Sequence, residues 1–208
     1  MPISFNDWIS ESRENISETP KRGVMQALYT IYLGMWFTVT SRKEIGTNIY
    51  ERDWDLLLIL DACRVDAMEE VADEYDFIED VDSTWSVASG SYEWMVKTFR
   101  TEYLDEIENT AHITSNGFAE KAFFDHKYAP NVALPFGWPQ GEVVTADDFG
   151  FIDRSWKEYG GEPLHTVQPE PMTDLGIKYG RSGQEYERMI LHYTQPHIPW
   201  ITEALKED

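Results

Sequence analysis

Three groups of residues carry the chemistry open to this sequence. Asp61 closes the apolar run WDLLLILD (54–61), with Cys63, Arg64 and Asp66 just behind it. Ser89 and Ser91 flank Gly90, immediately before the run YEWMVKTF. His192 and His197 belong to the segment HYTQPHIPW (192–200). A carboxylate at the end of a strand is a good ligand for a hard cation. A hydroxyl at a helix N-terminus meets free N–H groups and the positive end of the dipole, which favour an alkoxide or a bound tetrahedral anion. An imidazole can ligate a metal or hold a phosphoryl or sulfuryl oxygen. Together the three groups suggest metal-assisted attack by a serine on a phosphate or sulfate ester.

Each residue also has a plainer role, and both roles stay open at this level. Asp61, Ser89 or Ser91 could cap a helix and do nothing more. His197 could fix its Pro-rich turn. Cys63 reads as a small buried residue after the strand, and Arg64 as an ion-pair partner.

The elements that must position these groups follow from hydrophobic patterning. Residues 54–61 form a continuous apolar run, which suggests a strand covered on both faces, as in a parallel sheet. ACRVDAMEEVADEY then reads as an acidic helix. This strand, carboxylate, helix order is how open α/β sheets present ligand groups. Residues 76–88 suggest a second extended segment, and YEWMVKTFRTEYLDEI a helix. Residues 110–116 are a short strand candidate, and GFAEKAFF is helical. Residues 128–176, rich in Pro and Gly, are expected to be loop with short strands at best. QEYERMI reads as the end of a helix and LHYTQ as a strand, which would deliver His197 to the same sheet edge as Asp61.

At the N-terminus, residues 4–18 read as a surface helix ended by Thr19-Pro20. Residues 23–40 are the most apolar stretch, with Arg22 before and Arg42 and Lys43 after. Three readings compete there: a buried or docking helix, an interfacial membrane helix giving peripheral membrane contact, and a true span.

Charge bounds the rest. Seventeen Lys and Arg against 38 Asp and Glu leave 17 − 38 = −21 on 208 residues. No basic stripe is available to neutralise phosphates, so nucleic acid is excluded as a partner. At 42% hydrophobic and 14% aromatic, the chain is too apolar for wholesale disorder. One Cys rules out an internal disulfide framework. No secretory leader is visible, which gives a cytoplasmic expectation with membrane association left open. Acid spread along the whole chain, with eight Lys, suits concentrated salt and a salt-loving microbe, the alternative being an ordinary acidic protein.

The block TNIYERDWDLLLILDACRVDAMEEVADEYDFIEDVDSTWSVASGSYEWMVKTF, taken with HYTQPHIPW, resembles haloarchaeal sulfatase-like proteins of the alkaline phosphatase superfamily. The resemblance covers roughly residues 45–100 and 160–200. It implies an α/β fold with a mostly parallel sheet flanked by helices. The domain would span 45–208, behind an N-terminal helical extension, 1–44. It implies a divalent metal (Zn, Mn, Mg or Ca) held by Asp61 and Ser91. Ser91 would be the nucleophile, with Ser89 as the alternative. Arg64, His192 and His197 would bind the anionic ester, which could be glycan- or lipid-linked. The segment Ser89-Gly90-Ser91-Tyr92-Glu93 lacks the Pro and Arg of the formylglycine motif, so an unmodified serine and phosphoryl transfer are expected. Family members continue to an Asp-His pair that completes the metal site, which Asp125-His126 does not resemble. The expectation is a C-terminally short domain, truncated or inactive, whose alternative function is to bind an anionic glycan or a membrane partner.

Overall fold

The computed structural model describes residues 4–40, 45–125, 134–137, 143–160, 166–183 and 186–197. The chain forms two compact units, each assembled from separate stretches. The first comprises Met1–Asn48, Ser86–Glu102 and Phe118–Thr145, and the second Ile49–Trp85, Tyr103–Gly117 and Ala146–Asp208.

In the first unit, α1 (Phe5–Glu18) starts where the Ser4 hydroxyl accepts the Asp7 N–H at 3.3 Å, an N-cap that satisfies an otherwise orphaned donor. It stops at Thr19. α2 (Pro20–Thr40) begins on Pro20, where a missing N–H costs nothing. The two helices form an antiparallel hairpin held by close approach at Gly23. A Cβ there would lie 2.5 Å from the Ile16 backbone nitrogen. Farther along, the Trp8 indole N–H donates to Thr30 Oγ1 at 2.8 Å. α4 (Ser91–Thr98) is fastened at its C-terminal end by the Asn48 amide, which donates to the carbonyls of Lys97 (3.3 Å) and Thr98 (3.1 Å). Beyond it the Phe99 ring sits edge-on to Trp94 and to Phe123.

The second unit is an α/β layer. Its strands are β1 (Leu56–Leu60), β2 (Thr110–Thr114), β3 (Phe151–Asp153) and β4 (Arg188–Tyr193). They form one all-parallel sheet in the order β1-β4-β2-β3, flanked by helices. The helices in chain order are α3 (Val65–Val71), α5 (Leu104–Glu108), α6 (Ser155–Tyr159) and α7 (Pro169–Gly180). α7 lays Met172 and Leu175 on Ile113, Leu191 and Tyr193, with Phe151, Trp156 and Tyr179 at the margin. Each fully buried side chain of this kind contributes about 1.5–3 kcal/mol. The opposite face of the sheet buries Ile190, His112 and His192.

Several expectations need correction. β1 is not covered on both faces: among the described residues it is an edge strand, and Leu56, Leu58 and Leu60 are exposed while Leu57 and Ile59 are half-buried. The strand buried throughout is β2, TAHIT. Residues 76–88 form no strand, only an isolated bridge at Ser86 to Thr47. Their four carboxylates repel one another and favour water over a ladder. The expected long helix after Ser91 ends at Thr98, because Phe99 turns into the core and Arg100 bridges to Val143. In QEYERMI, Arg188–Ile190 are strand, not helix. The Pro-rich stretch runs into the 12-residue α7, whose Pro169 and Pro171 fall in the first turn, where proline is tolerated. The readings of His126 and of residues 198–208 lie outside the described residues.

Candidate functional site

A parallel sheet sends the carboxyl ends of its strands to one edge, and in the second unit that edge gathers polar side chains. Asp61 follows β1. Its backbone N–H donates to the Tyr193 carbonyl at 3.2 Å, so the ladder extends to the carboxylate itself. The chain then turns, with the Cys63 N–H donating to the Leu60 carbonyl at 3.0 Å. Ala62 takes φ 63° at the third position of this turn, where a type II turn calls for glycine. A non-glycine residue in the left-handed region is strained, and such strain concentrates at functional sites.

β2 delivers Ser115 and Asn116 to the same edge. Asn116 donates its side-chain amide to Asp61 Oδ2 at 3.1 Å. Its own backbone N–H donates to Thr114 Oγ1 at 3.1 Å, which holds the residue just past the strand. Ser115 spans to β4, donating its hydroxyl to the His192 carbonyl at 3.0 Å and lying 2.8 Å from Thr194 Oγ1. Asp61, Asn116, Ser115 and Thr194 thus come from three adjacent strands in the order β1-β4-β2.

His192 lies beneath this edge, not on it. It is 2% exposed, within β4, opposite Ile59 and Thr114. Burial pushes its imidazole down to about 4, against a pull upward from the Asp61 charge. His112 stacks beside it, ring centroids 6.2 Å apart and planes 7° from parallel. Burial, with the neighbouring His192, holds His112 well below the ordinary imidazole range. Both rings are neutral at neutral pH, and neither is placed to touch a substrate at the surface. His197 is exposed, three residues past Thr194, and its N–H donates to the Thr194 carbonyl at 3.0 Å. It follows the carboxyl end of β4, the strand that pairs in parallel with β1.

Arg64 and Asp66 form an exposed bidentate pair, at 2.8 and 2.7 Å. The guanidinium is therefore engaged with its own loop. Asp61 does not cap α3, whose N-cap is Arg64 with no side-chain cap bond. Cys63 is half-buried beside them, its thiol directed to the Arg64 carbonyl at 3.8 Å.

Ser89 and Ser91 belong to the first unit. Ser91 is the first residue of α4 and Gly90 its N-cap; Ser89, outside the helix, is exposed. Neither hydroxyl is the cap. Nothing lies within 4 Å of where a Gly90 Cβ would stand, so the helix start is open to approach. Burial pushes the adjacent Tyr92 hydroxyl up to about 12.

Asn116, Ser115 and Thr194 went unnoticed as site residues in the sequence, although TSN follows directly on the TAHI strand signal. Asp61, Asn116, Ser115 and Thr194 bring a carboxylate, an amide and two hydroxyls to the edge. That is the chemistry of a hard cation. Among the described residues, no group of three or more His, Cys, Asp or Glu gathers to hold a metal ion. Comparison with protein-family models, with curated proteins and with solved structures finds no match for the chain.

Proposed function

We propose that the chain is a metal-dependent hydrolase or transferase of phosphate or sulfate esters. The observation that carries this reading is the Asp61–Asn116 pair at the carboxyl edge of an all-parallel sheet, over a buried neutral His192. Open α/β sheets bind their ligands at that edge. Asp61 and the Asn116 amide oxygen would hold the divalent metal. Their oxygen chemistry suits Mg, Mn or Ca better than Zn. A bound metal would supply polarisation of the ester oxygen. Asn116 orients the carboxylate through its amide N–H, and the neutral imidazole below adds no competing positive charge. His197, exposed past the end of β4, would hold an ester oxygen. Ser91 is the proposed nucleophile, with Ser89 as the alternative. Its hydroxyl would attack phosphorus, the ester alcohol would leave with a proton, and water would later release the phosphate. The open N-terminus of α4 supports the placing of an anion there.

The test pairs binding with turnover. Wild-type protein is titrated calorimetrically with Mg, Mn and Ca and assayed on aryl phosphate and aryl sulfate esters. Divalent-dependent hydrolysis that Asp61→Asn and Ser91→Ala each lower at least ~100-fold, without loss of the native circular dichroism spectrum, is the expected result. Metal-independent binding of phosphate or sulfate with no turnover would overturn the enzyme reading and leave an oxyanion-binding domain.

A further inference from the structure

α2 is two-sided in an unusual way. Gly23, Thr30, Gly34 and Phe37 are buried along one side, against α1 and, at Gly34, against Phe136. The opposite side carries Met25, Leu28, Tyr32, Met35, Trp36 and Val39, each between 47% and 72% exposed. At 100° per residue these six fall within an arc of about 100°. This is a continuous stripe along a 21-residue helix, not a scatter of single surface apolar residues. The charge around it is reversed relative to the rest of the chain. Residues 19–43 hold Lys21, Arg22, Arg42 and Lys43 and no Asp or Glu, in a protein with 38 acids. Of these four, Lys21 and Arg22 are exposed at the start of α2, and the other two lie outside the described residues. The acidic residues of the hairpin, Asp7, Glu11, Glu14 and Glu18, are on α1, which covers the buried side.

We infer that the exposed face of α2 docks in the interface of an anionic lipid bilayer, with the helix lying in the membrane plane. No helix of the described residues is long and apolar enough to cross a membrane. An interfacial helix needs less: an apolar stripe, aromatic residues at headgroup depth and flanking cations for anionic lipid. Tyr32 and Trp36 supply the aromatics, and Lys21 and Arg22 the charge. A second copy of this chain is a poorer occupant. Pairing α2 with itself in parallel brings Lys21 and Arg22 of the two helices onto each other, whereas anionic lipid complements them. The inference goes beyond the proposed ester chemistry and does not depend on it.

Vesicle flotation tests it, in the lowest salt that preserves the native circular dichroism spectrum. The probes are vesicles of pure phosphatidylcholine and vesicles of phosphatidylcholine mixed with phosphatidylglycerol. Wild-type protein should float with the phosphatidylglycerol vesicles and bind them at least ~10-fold more tightly than neutral ones. Leu28→Glu and Lys21→Gln/Arg22→Gln should each weaken that binding, with melting curves unchanged because these side chains are exposed. Brominated lipid should quench wild-type tryptophan fluorescence more than that of Trp36→Phe, a readout that does not require the charged variant to fold. Absence of flotation with mixed vesicles would overturn the inference. So would equal binding by Leu28→Glu, or a wild-type dimer that ignores vesicles and becomes monomeric in Leu28→Glu.

Discussion

Ala62 and the two buried histidines set the terms at the scale of single residues. The left-handed conformation costs an alanine about 1–2 kcal/mol, and glycine returns up to about 1 kcal/mol of that as chain entropy. Ala62→Gly should therefore stabilise the protein by roughly 0.5–1 kcal/mol in urea titration; a loss of stability would show that the turn is unstrained. The histidines give a pH dependence whose sign is fixed. Both folded-state values are depressed, so above pH 6.5 the rings are neutral whether the chain is folded or not. As pH falls below 6.5 the unfolded chain takes up protons that the folded chain refuses, and stability declines. His192 alone, depressed to about 4, accounts for roughly 3 kcal/mol lost between pH 6.5 and pH 4. Denaturant midpoints across that window should fall with acid. His192→Gln should flatten the slope, and an unchanged slope would count against the buried neutral ring. Past the end of β4, His197→Ala should weaken phosphate, sulfate or vanadate binding while barely moving the melting temperature. A large drop in melting temperature with oxyanion binding intact would return His197 to a turn-fixing role.

The helix hairpin and the sheet decide what happens at the scale of elements. Gly23 lets α2 cross α1 with backbone against backbone. Gly23→Leu should pry the helices apart and cost roughly 1–3 kcal/mol, read as a lowered melting temperature. Melting like that of wild type would mean that the hairpin tolerates wider spacing. Much of this level was legible in the sequence. Thr19-Pro20 marks the joint between α1 and α2, LLLIL marks a strand, and the parallel pairing of β1 with β4 follows from two strand–turn patterns aimed at one edge. Burial was not legible, because the most apolar strand lies at the rim and the most polar one at the centre. TAHIT can be buried in part because its threonine hydroxyls are satisfied locally: Thr110 donates to the Glu106 carbonyl at 2.7 Å, and Thr114 accepts from Asn116. Hydropathy registers a hydroxyl as a cost and cannot see the carbonyl that receives it. The same blindness hid Asn116, whose meaning depends on a strand 55 positions away in sequence.

At the scale of the whole molecule, charge dominates. With −21 net, self-repulsion extends over a Debye length of ~30 Å near 0.01 M salt and shrinks to ~3 Å at 1 M. Melting by circular dichroism should shift upward by roughly 5–10 °C between dilute buffer and molar KCl, which corresponds to a few kcal/mol for a chain of this size. An unchanged melting temperature would count against adaptation to salt. The surface is not uniform, however. Residues 19–43 hold no Asp or Glu, and α2 exposes an apolar stripe, which no average over composition reveals.

The pairing of β1 with β4 also shapes how the protein is made. Leu56 finds its partner in Met189, 133 positions later. At ribosomal speeds of about 5–20 residues per second, LLLIL must wait about 7–27 s for β4, its partner among the described residues. Throughout that interval a sticky strand is accessible to chaperones and to other nascent chains. A fold in which β1 closes against β4 across 133 positions thus has its greatest hazard during synthesis.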